Sequence, residues 1–204
     1  MPRTKAIPDG WSNYTGLGKR IPGTPFIPSK TPLSHRLCNL LPSGTDHYTP
    51  EMLISDTRKL GYDLKMVIDL TATNRYYDPN VFAEYNIEYV KLMVSGGSVP
   101  HAELFLQFKN AVDSFMERWN YTPRSEEVIA VHCTHGVNRT GFFICKYLIH
   151  ELGLNPEETI RQFEEYRGYP IERKHLIDNL LCRNPGDLLS ARFNWLDLVS
   201  GNRI

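Results

Sequence analysis

Strand-like and helix-like patterns alternate along this chain, which predicts an α/β fold around a central, mostly parallel twisted sheet flanked by helices. Three observations carry that expectation. Short apolar runs at 64–70 ("LKMVIDL"), 89–94 ("YVKLMV") and 127–133 ("EVIAVHC") have the length of buried strands. Apolar residues recur at helical spacing at Leu104, Phe105, Phe108, Val112, Phe115 and Trp119, so residues 102–119 read as a helix. Helix caps and stops fall where the alternation needs them.

In chain order, residues 1–35 are rich in Pro, Gly and Thr, as in "IPGTPFIPSKTPL". They are expected to form an irregular N-terminal arm packed on the domain, with a short strand near Phe26 and Ile27. Thr49 caps the next helix, with Pro50 at its first position and Gly61 at its end. The strand at 64–70 follows, then the strand at 89–94, the helix at 102–119 and the strand at 127–133. "RTGFFICKYLIHELG" continues as a helix with Gly153 just past it. Asn155-Pro156-Glu157-Glu158 supplies a cap, an N1 proline and an acidic first turn for a helix reaching about Tyr166. "ERKHLIDNLL" is expected to be another helix, and "DLLSARFNWLDLV" a last amphipathic one.

Composition narrows the function. The chain has 204 residues, enough for one domain with a short appendage, and 41% hydrophobic residues, enough for a core. Lys+Arg and Asp+Glu are both 23, so the formal net charge is zero. A protein that grips long nucleic acid by its phosphates is usually basic, so any nucleic-acid contact here should be local. Cys38, Cys133, Cys145 and Cys182 form no CxxC pair and no zinc-type spacing. The expectation is a reducing intracellular compartment, with no disulfide framework, metal or cofactor. "MPRTKAIPDGW" has no apolar core of a signal peptide, and no apolar run is long enough to span a membrane.

The chemistry concentrates in "VHCTHGVNRTG" at 131–141. The loop joins a strand to a helix, a context in which backbone N–H groups and the helix N-terminus converge on an anion. Gly136 allows a tight turn. Arg139 can fork onto two phosphate oxygens. Cys133 at the mouth of such a cradle is expected as a thiolate, nucleophilic at neutral pH. Thr140 can give its hydroxyl to the sulfur, and His132 is expected to orient the loop by bonding backbone. Six specified positions of HCxxGxxR[ST]G arise by chance on the order of 10⁻⁷ to 10⁻⁸ per start position, which favours a catalytic Cys133 over an inert one. Cys145, mid-helix, reads as an inert small hydrophobe, as do Cys38 and Cys182.

HCxxGxxR[ST]G resembles the signature of cysteine-dependent protein-tyrosine and dual-specificity phosphatases. The full string is similar to a narrower branch, the metal-independent RNA 5′-triphosphatases. "WSNYTGLGKRIPGTPFIPSKTPL", "IDLTATNRYYD", "CKYLIHELGLNPEETIRQF" and "RGYPIERKHLIDNL" agree with it. "RGYPIER" and the "RYY" pair resemble the ribonucleoprotein-interacting and baculoviral members more than mRNA capping enzymes, and no guanylyltransferase region is present. The resemblance covers roughly residues 11–181. It implies a protein-tyrosine-phosphatase-like fold, with an arm at 1–35, a phosphatase domain at 36–183 and a tail at 184–204. It also implies metal-independent removal of the γ and then the β phosphate from RNA 5′-triphosphate or 5′-diphosphate ends. The phosphate cradle would then be His132, Thr134, His135, Gly136, Val137, Asn138 and Arg139. The expected partners are those RNA ends and RNA-processing or ribonucleoprotein proteins, for a monomer without a membrane, located in the nucleus or else the cytoplasm.

A phosphotyrosine phosphatase needs an acid for its phenolate leaving group, because Tyr has a pKa near 10. In the family this is an Asp about thirty residues before the Cys, but "SGGSVPHAELFLQF" (95–108) holds only Glu103. Glu103 reads equally as a first-turn helix acid. A polyphosphate leaving group, with a last pKa of about 6, departs without a proton. The missing Asp therefore points to a polyphosphate; the alternative is a dual-specificity protein phosphatase with Glu103 or Asp69 as acid. Asp69 ends a strand beside Thr71, where it is either a site residue or a cap for backbone N–H groups. Arg75, Arg173 and Lys174 are candidates for the outer phosphates; Lys174 and His175 depart from the Gln and Asn usual in the family. Trp11, Tyr76 and Tyr77 could stack on a nucleotide or pack in the core.

Overall fold

A computed structural model describes residues 7–182. Four strands form one sheet: β1 (Phe26–Lys30), β2 (Asp63–Asp69), β3 (Glu88–Lys91) and β4 (Glu127–Cys133). Their spatial order is β1-β4-β2-β3, and each pairing is parallel. On one face lie α4 (Ala102–Arg118), α5 (Asn138–His150), α6 (Pro156–Arg167) and α7 (Lys174–Leu181). The other face carries α1 (His35–Cys38), α2 (Pro50–Lys59), α3 (Asn80–Glu84) and the arm.

Strand side chains alternate in direction. Thus β4 sends Ile129, Val131 and Cys133 into the first layer and Val128 and Ala130 into the second. Both faces are covered, which is why these strands read as continuous apolar runs. The expected caps are present: Thr49 accepts from Met52 N–H at the start of α2, and Asn155 from Glu158 N–H at the start of α6. Gly61 sits beyond α2 at a φ of +83°, a left-handed conformation that suits glycine.

The arm contributes more than a short strand at Phe26 and Ile27. Its β1 runs five residues and pairs with β4, the strand that ends in Cys133. Pro28 is tolerated because β1 is an edge strand. Pro28 O and Lys30 N–H bond Gly18 N–H and Gly16 O on the outer side, so the N–H that Pro28 lacks would also point outward. Residues 16–18 cover that edge and leave it closed to further pairing. A boundary at residue 35 therefore cuts through the sheet. Trp11 is buried, with its indole N–H donating to Thr31 O at 2.8 Å.

β3 stops at Lys91, short of Val94, because Val94 N–H turns back to Leu92 O at 2.9 Å and ends the ladder. No helix among the described residues is long and apolar enough to cross a membrane. The tail at 184–204, with its amphipathic stretch, lies outside the described residues.

Candidate active site

β4 ends in Cys133 and α5 starts at Asn138, so residues 134–137 make the whole turn. The turn requires Gly136. Its φ is +70°, and a Cβ there would lie 2.1 Å from Ser29 O of β1. Val137 forms the N-cap, completely buried, and contributes backbone only.

Cys133 is 3% exposed. Burial pushes its thiol up, but the Arg139 guanidinium, the Thr140 hydroxyl and N–H and the Gly136 N–H outweigh burial and bring it below the ordinary thiol value. The Thr140 hydroxyl is buried and makes no hydrogen bond to another group, so it remains free for the sulfur. Arg139 is held ready: Nη1 donates to Leu70 O (3.0 Å) and Val94 O (2.8 Å), and Nη2 to Thr134 Oγ1 (2.8 Å). The ends of β2 and β3 thus aim the guanidinium across the loop. The other buried thiols behave oppositely. Cys38 and Cys145 lie in apolar cores and burial raises both.

Beneath the loop sits a polar floor. Asp69 Oδ1 accepts from Thr71 N–H and Oγ1, both at 2.7 Å. Its Oδ2 accepts from Tyr89 Oη (2.9 Å), Tyr77 Oη (3.2 Å) and Lys91 Nζ (2.9 Å). Burial would raise this carboxyl, but His132, Lys91 and Thr71 N–H hold it below the usual Asp value. Asp69 is therefore an ionised, saturated acceptor, and the expectation that it could donate a proton gives way. His132 is fully buried, and burial pulls its imidazole below the usual His value. Its Nε2 pairs with Tyr77 Oη at 2.7 Å, and Nδ1 lies 3.8 Å from Asp69. It supports the loop from below, through Tyr77 Oη and the Cys133 backbone, and does not face the cradle.

Behind the loop stands Arg167, which sequence reasoning missed. It is 1% exposed. Nε donates to Gly136 O (3.0 Å), Nη2 to His135 O and Thr15 O (both 2.9 Å), and Nη1 to Thr15 Oγ1 (3.1 Å). Pinning these carbonyls outward leaves the loop N–H groups facing the sulfur. The arm adds further ties. His135 Nε2 contacts Asp9 O at 2.8 Å, and Lys30 Nζ donates to Tyr14 O at 2.8 Å. Asn138 joins the loop to the "IER" segment. Its Oδ1 accepts from Glu172 N–H and Arg173 N–H at 2.9 Å, and Nδ2 donates to Glu172 at 3.0 Å.

The remaining expected residues divide. Arg173, half-buried, lays its guanidinium against Gly96, and the guanidinium has no hydrogen bond or ion pair among the described residues. Lys174 opens α7, exposed and likewise unpaired among the described residues. Arg75 is exposed and lies over the Tyr76 ring at 5.2 Å. Glu103 is an exposed first-turn acid of α4. Trp11, Tyr76 and Tyr77 are core residues.

A family model described as dual specificity phosphatase, catalytic domain, matches residues 50–184. The RNA/RNP complex-1-interacting phosphatase of Bos taurus is 39% identical over 97% of this chain and 56% of its own length. A tyrosine-protein phosphatase of Autographa californica nuclear polyhedrosis virus is 36% identical over 86% of this chain and 99% of its own. The Caenorhabditis elegans homolog of the RNA/RNP complex-1-interacting phosphatase is 38% identical over 86% of this chain and 75% of its own. The chain spans 51–56% of the length of the four mammalian relatives it matches. Among solved structures, a protein tyrosine phosphatase from Leishmania major superposes with a TM-score of 0.61 at 13% identity, over 83% of this chain and 99% of its own. Tk-PTP in its active form gives 0.58 at 17%, over 86% and 97%. These likenesses show a protein-tyrosine-phosphatase fold.

Proposed function

The chain belongs to the dual-specificity phosphatase family, and from that premise we propose that it is an RNA 5′-polyphosphatase, removing the γ and then the β phosphate of 5′-triphosphate RNA. The observation that carries this reading is Arg173. Its main chain is tied to Asn138 of the catalytic loop, while its guanidinium is unpaired among the described residues and rests beside Gly96. A second phosphate is the natural partner for such a cation. The saturated Asp69 and exposed Glu103 agree with a leaving group that needs no acid.

In the first step the Cys133 thiolate attacks the γ-phosphorus. The bond to the β–γ bridging oxygen breaks, and its electron pair leaves on the β-phosphate, whose last pKa is about 6. Arg139 and the loop N–H groups hold the equatorial oxygens, and the Thr140 hydroxyl serves the sulfur. In the second step water attacks the cysteinyl phosphate, the S–P bond breaks and the thiolate returns. Inorganic phosphate is released and one water proton passes to solvent. The diphosphate end then repeats the cycle. His135, Asn138, Arg75 and Lys174 are proposed at the cradle or along the phosphate chain. Substrates of this kind arise from transcription, which puts the enzyme with RNA-processing or ribonucleoprotein partners in the nucleus or cytoplasm, as a monomer.

The name of the viral relative, a tyrosine-protein phosphatase, favours the second reading, a protein phosphatase. One experiment separates them. Triphosphate RNA labelled at the α and γ positions is incubated in excess EDTA, and the products are compared with hydrolysis of a phosphotyrosine peptide. Release of label from γ, then conversion to 5′-monophosphate RNA, at far higher efficiency than the peptide is expected. A dependence on Mg²⁺ or Mn²⁺, or a preference for the peptide, would refute the proposal.

A further inference from the structure

A cavity of about 690 Å³ opens beside the catalytic loop, on the β1 side. Two aromatic rings wall it, Tyr14 and Tyr169, with centroids 4.9 Å apart. Tyr14 also stacks on His135, two residues beyond the nucleophile, at 4.7 Å and 17°. Lys30 lines the cavity too, and in the sheet it stands in register with Cys133. Neighbouring strands lie about 4.8 Å apart, so the cavity begins level with the nucleophile and one strand away.

The lining selects a class of ligand. Asp46 and Asp56 line the cavity. Asp56 is paired with Lys59 at 2.8 Å, so Asp46 is the carboxylate that a phosphate would meet unfavourably, and Lys30 does not offset it. Its ammonium is already committed to Tyr14 O (2.8 Å), to Trp11 O (3.4 Å) and to the Trp11 ring, 3.4 Å from its centroid. A flat, uncharged ring with polar edges fits better: an aromatic wall for one face, and Asn13, Asp46 and His47 for its edges. The wall is preset, because Tyr14 Oη donates to Glu172 at 2.9 Å and Thr15 N–H donates to Tyr169 Oη at 2.9 Å. Binding therefore orders little. With Trp11, Tyr76 and Tyr77 in the core, Tyr14 and Tyr169 are partly exposed aromatics left beside the loop.

We infer that this cavity is a nucleoside subsite that receives the 5′-terminal nucleoside of the RNA, with its base resting against the wall that Tyr14 and Tyr169 form. The inference rests on the polyphosphatase reading, and it makes the nucleoside a source of specificity alongside the phosphates.

The test compares kcat/KM on a 5′-triphosphate oligoribonucleotide, inorganic tripolyphosphate and p-nitrophenyl phosphate. Wild type should prefer the RNA to tripolyphosphate by about fivefold or more, the lower end of what one stacked base gives. Tyr169→Leu should lose that preference, with the ratio of RNA to tripolyphosphate efficiency falling about fivefold or more, and Tyr169→Phe should keep it. Tyr14→Leu should act in the same direction. Equal losses on all three substrates would make the tyrosines structural and overturn the subsite. Equal wild-type efficiency on RNA and tripolyphosphate would overturn it while leaving the polyphosphatase reading intact. Phosphotyrosine peptide outrunning both polyphosphates would overturn the reading and the subsite together.

Discussion

Replacing Arg167 by Met keeps an unbranched stem of similar reach and removes the guanidinium. Four hydrogen bonds go with it, and three carbonyls, Gly136 O, His135 O and Thr15 O, lose their donor in a buried region. Bonds from a charged donor contribute about 1.5–3 kcal/mol each, so the two to the loop alone make about 3–6 kcal/mol. Removing a desolvated charge returns part of this, and the net cost should be about 2–4 kcal/mol. A domain of ordinary stability, about 5–15 kcal/mol, stays folded. Catalysis should suffer more than folding. Once its carbonyls are free, the loop can turn its N–H groups away from the sulfur, and one misdirected oxyanion donor costs roughly 10²–10³ in rate. The thiol should also rise toward its ordinary value, since Gly136 N–H and the nearby positive charge both hold it down. The assays are kcat on p-nitrophenyl phosphate and the pH dependence of iodoacetamide alkylation, in a Cys182→Ser background because Cys182 is exposed. A variant destabilised as expected, yet wild-type in kcat and thiol titration, would refute the positioning role.

Other expectations follow from the same geometry. Cys133→Ser should abolish turnover and keep binding of triphosphate RNA, because the hydroxyl stays protonated while the cradle remains; Arg139→Lys should lose both, since one ammonium cannot replace the fork. Gly136→Ala should cost more than 10²-fold in kcat, because its Cβ would meet Ser29 O at 2.1 Å and the left-handed φ strains the residue. Asp69→Asn should destabilise by about 2–4 kcal/mol, since an amide NH₂ would face the Tyr89, Tyr77 and Lys91 donors. The folded Asp69 pKa lies below the usual Asp value, so its stabilisation is complete above that usual value and fades as pH falls through the folded pKa. The gap in Tm between wild type and Asp69→Asn should therefore be flat from neutral pH to about pH 5 and narrow below the Asp69 value. A loss in Asp69→Asn that grows with the basicity of the leaving group would restore Asp69 as an acid.

The sheet, the major helices and the nucleophile loop were legible because their signals are local. A buried strand, a loop and a capped helix each state themselves within a dozen residues, and Cys133, Arg139 and Thr140 fall inside one such unit. The supports were not legible because they act across the chain. Arg167, followed by Gly168, reads as a basic last-turn residue before a helix stop, and nothing near it announces that it holds Gly136. Lys30 lies beyond the short strand expected at Phe26 and Ile27, since Pro28 argues against continuing a strand until it is known to be an edge. Asp69 was correctly placed at a strand end. Its state depends on Tyr77, Tyr89 and Lys91, whose convergence only the β2–β3 pairing reveals.

The most direct measurement of the central claim is the effect of Arg173→Ala on two substrates with the same preparation. On triphosphate RNA the second phosphate loses a charge-assisted partner worth about 1.5–3 kcal/mol, so kcat/KM should fall roughly ten- to a hundredfold. On p-nitrophenyl phosphate, which carries one phosphate and has nothing to place against Arg173, the loss should be less than about threefold, below the 1.36 kcal/mol that a tenfold change represents. Equal losses on the two substrates would mean that Arg173 supports the loop through Asn138 and reads no second phosphate, and would contradict the polyphosphate account.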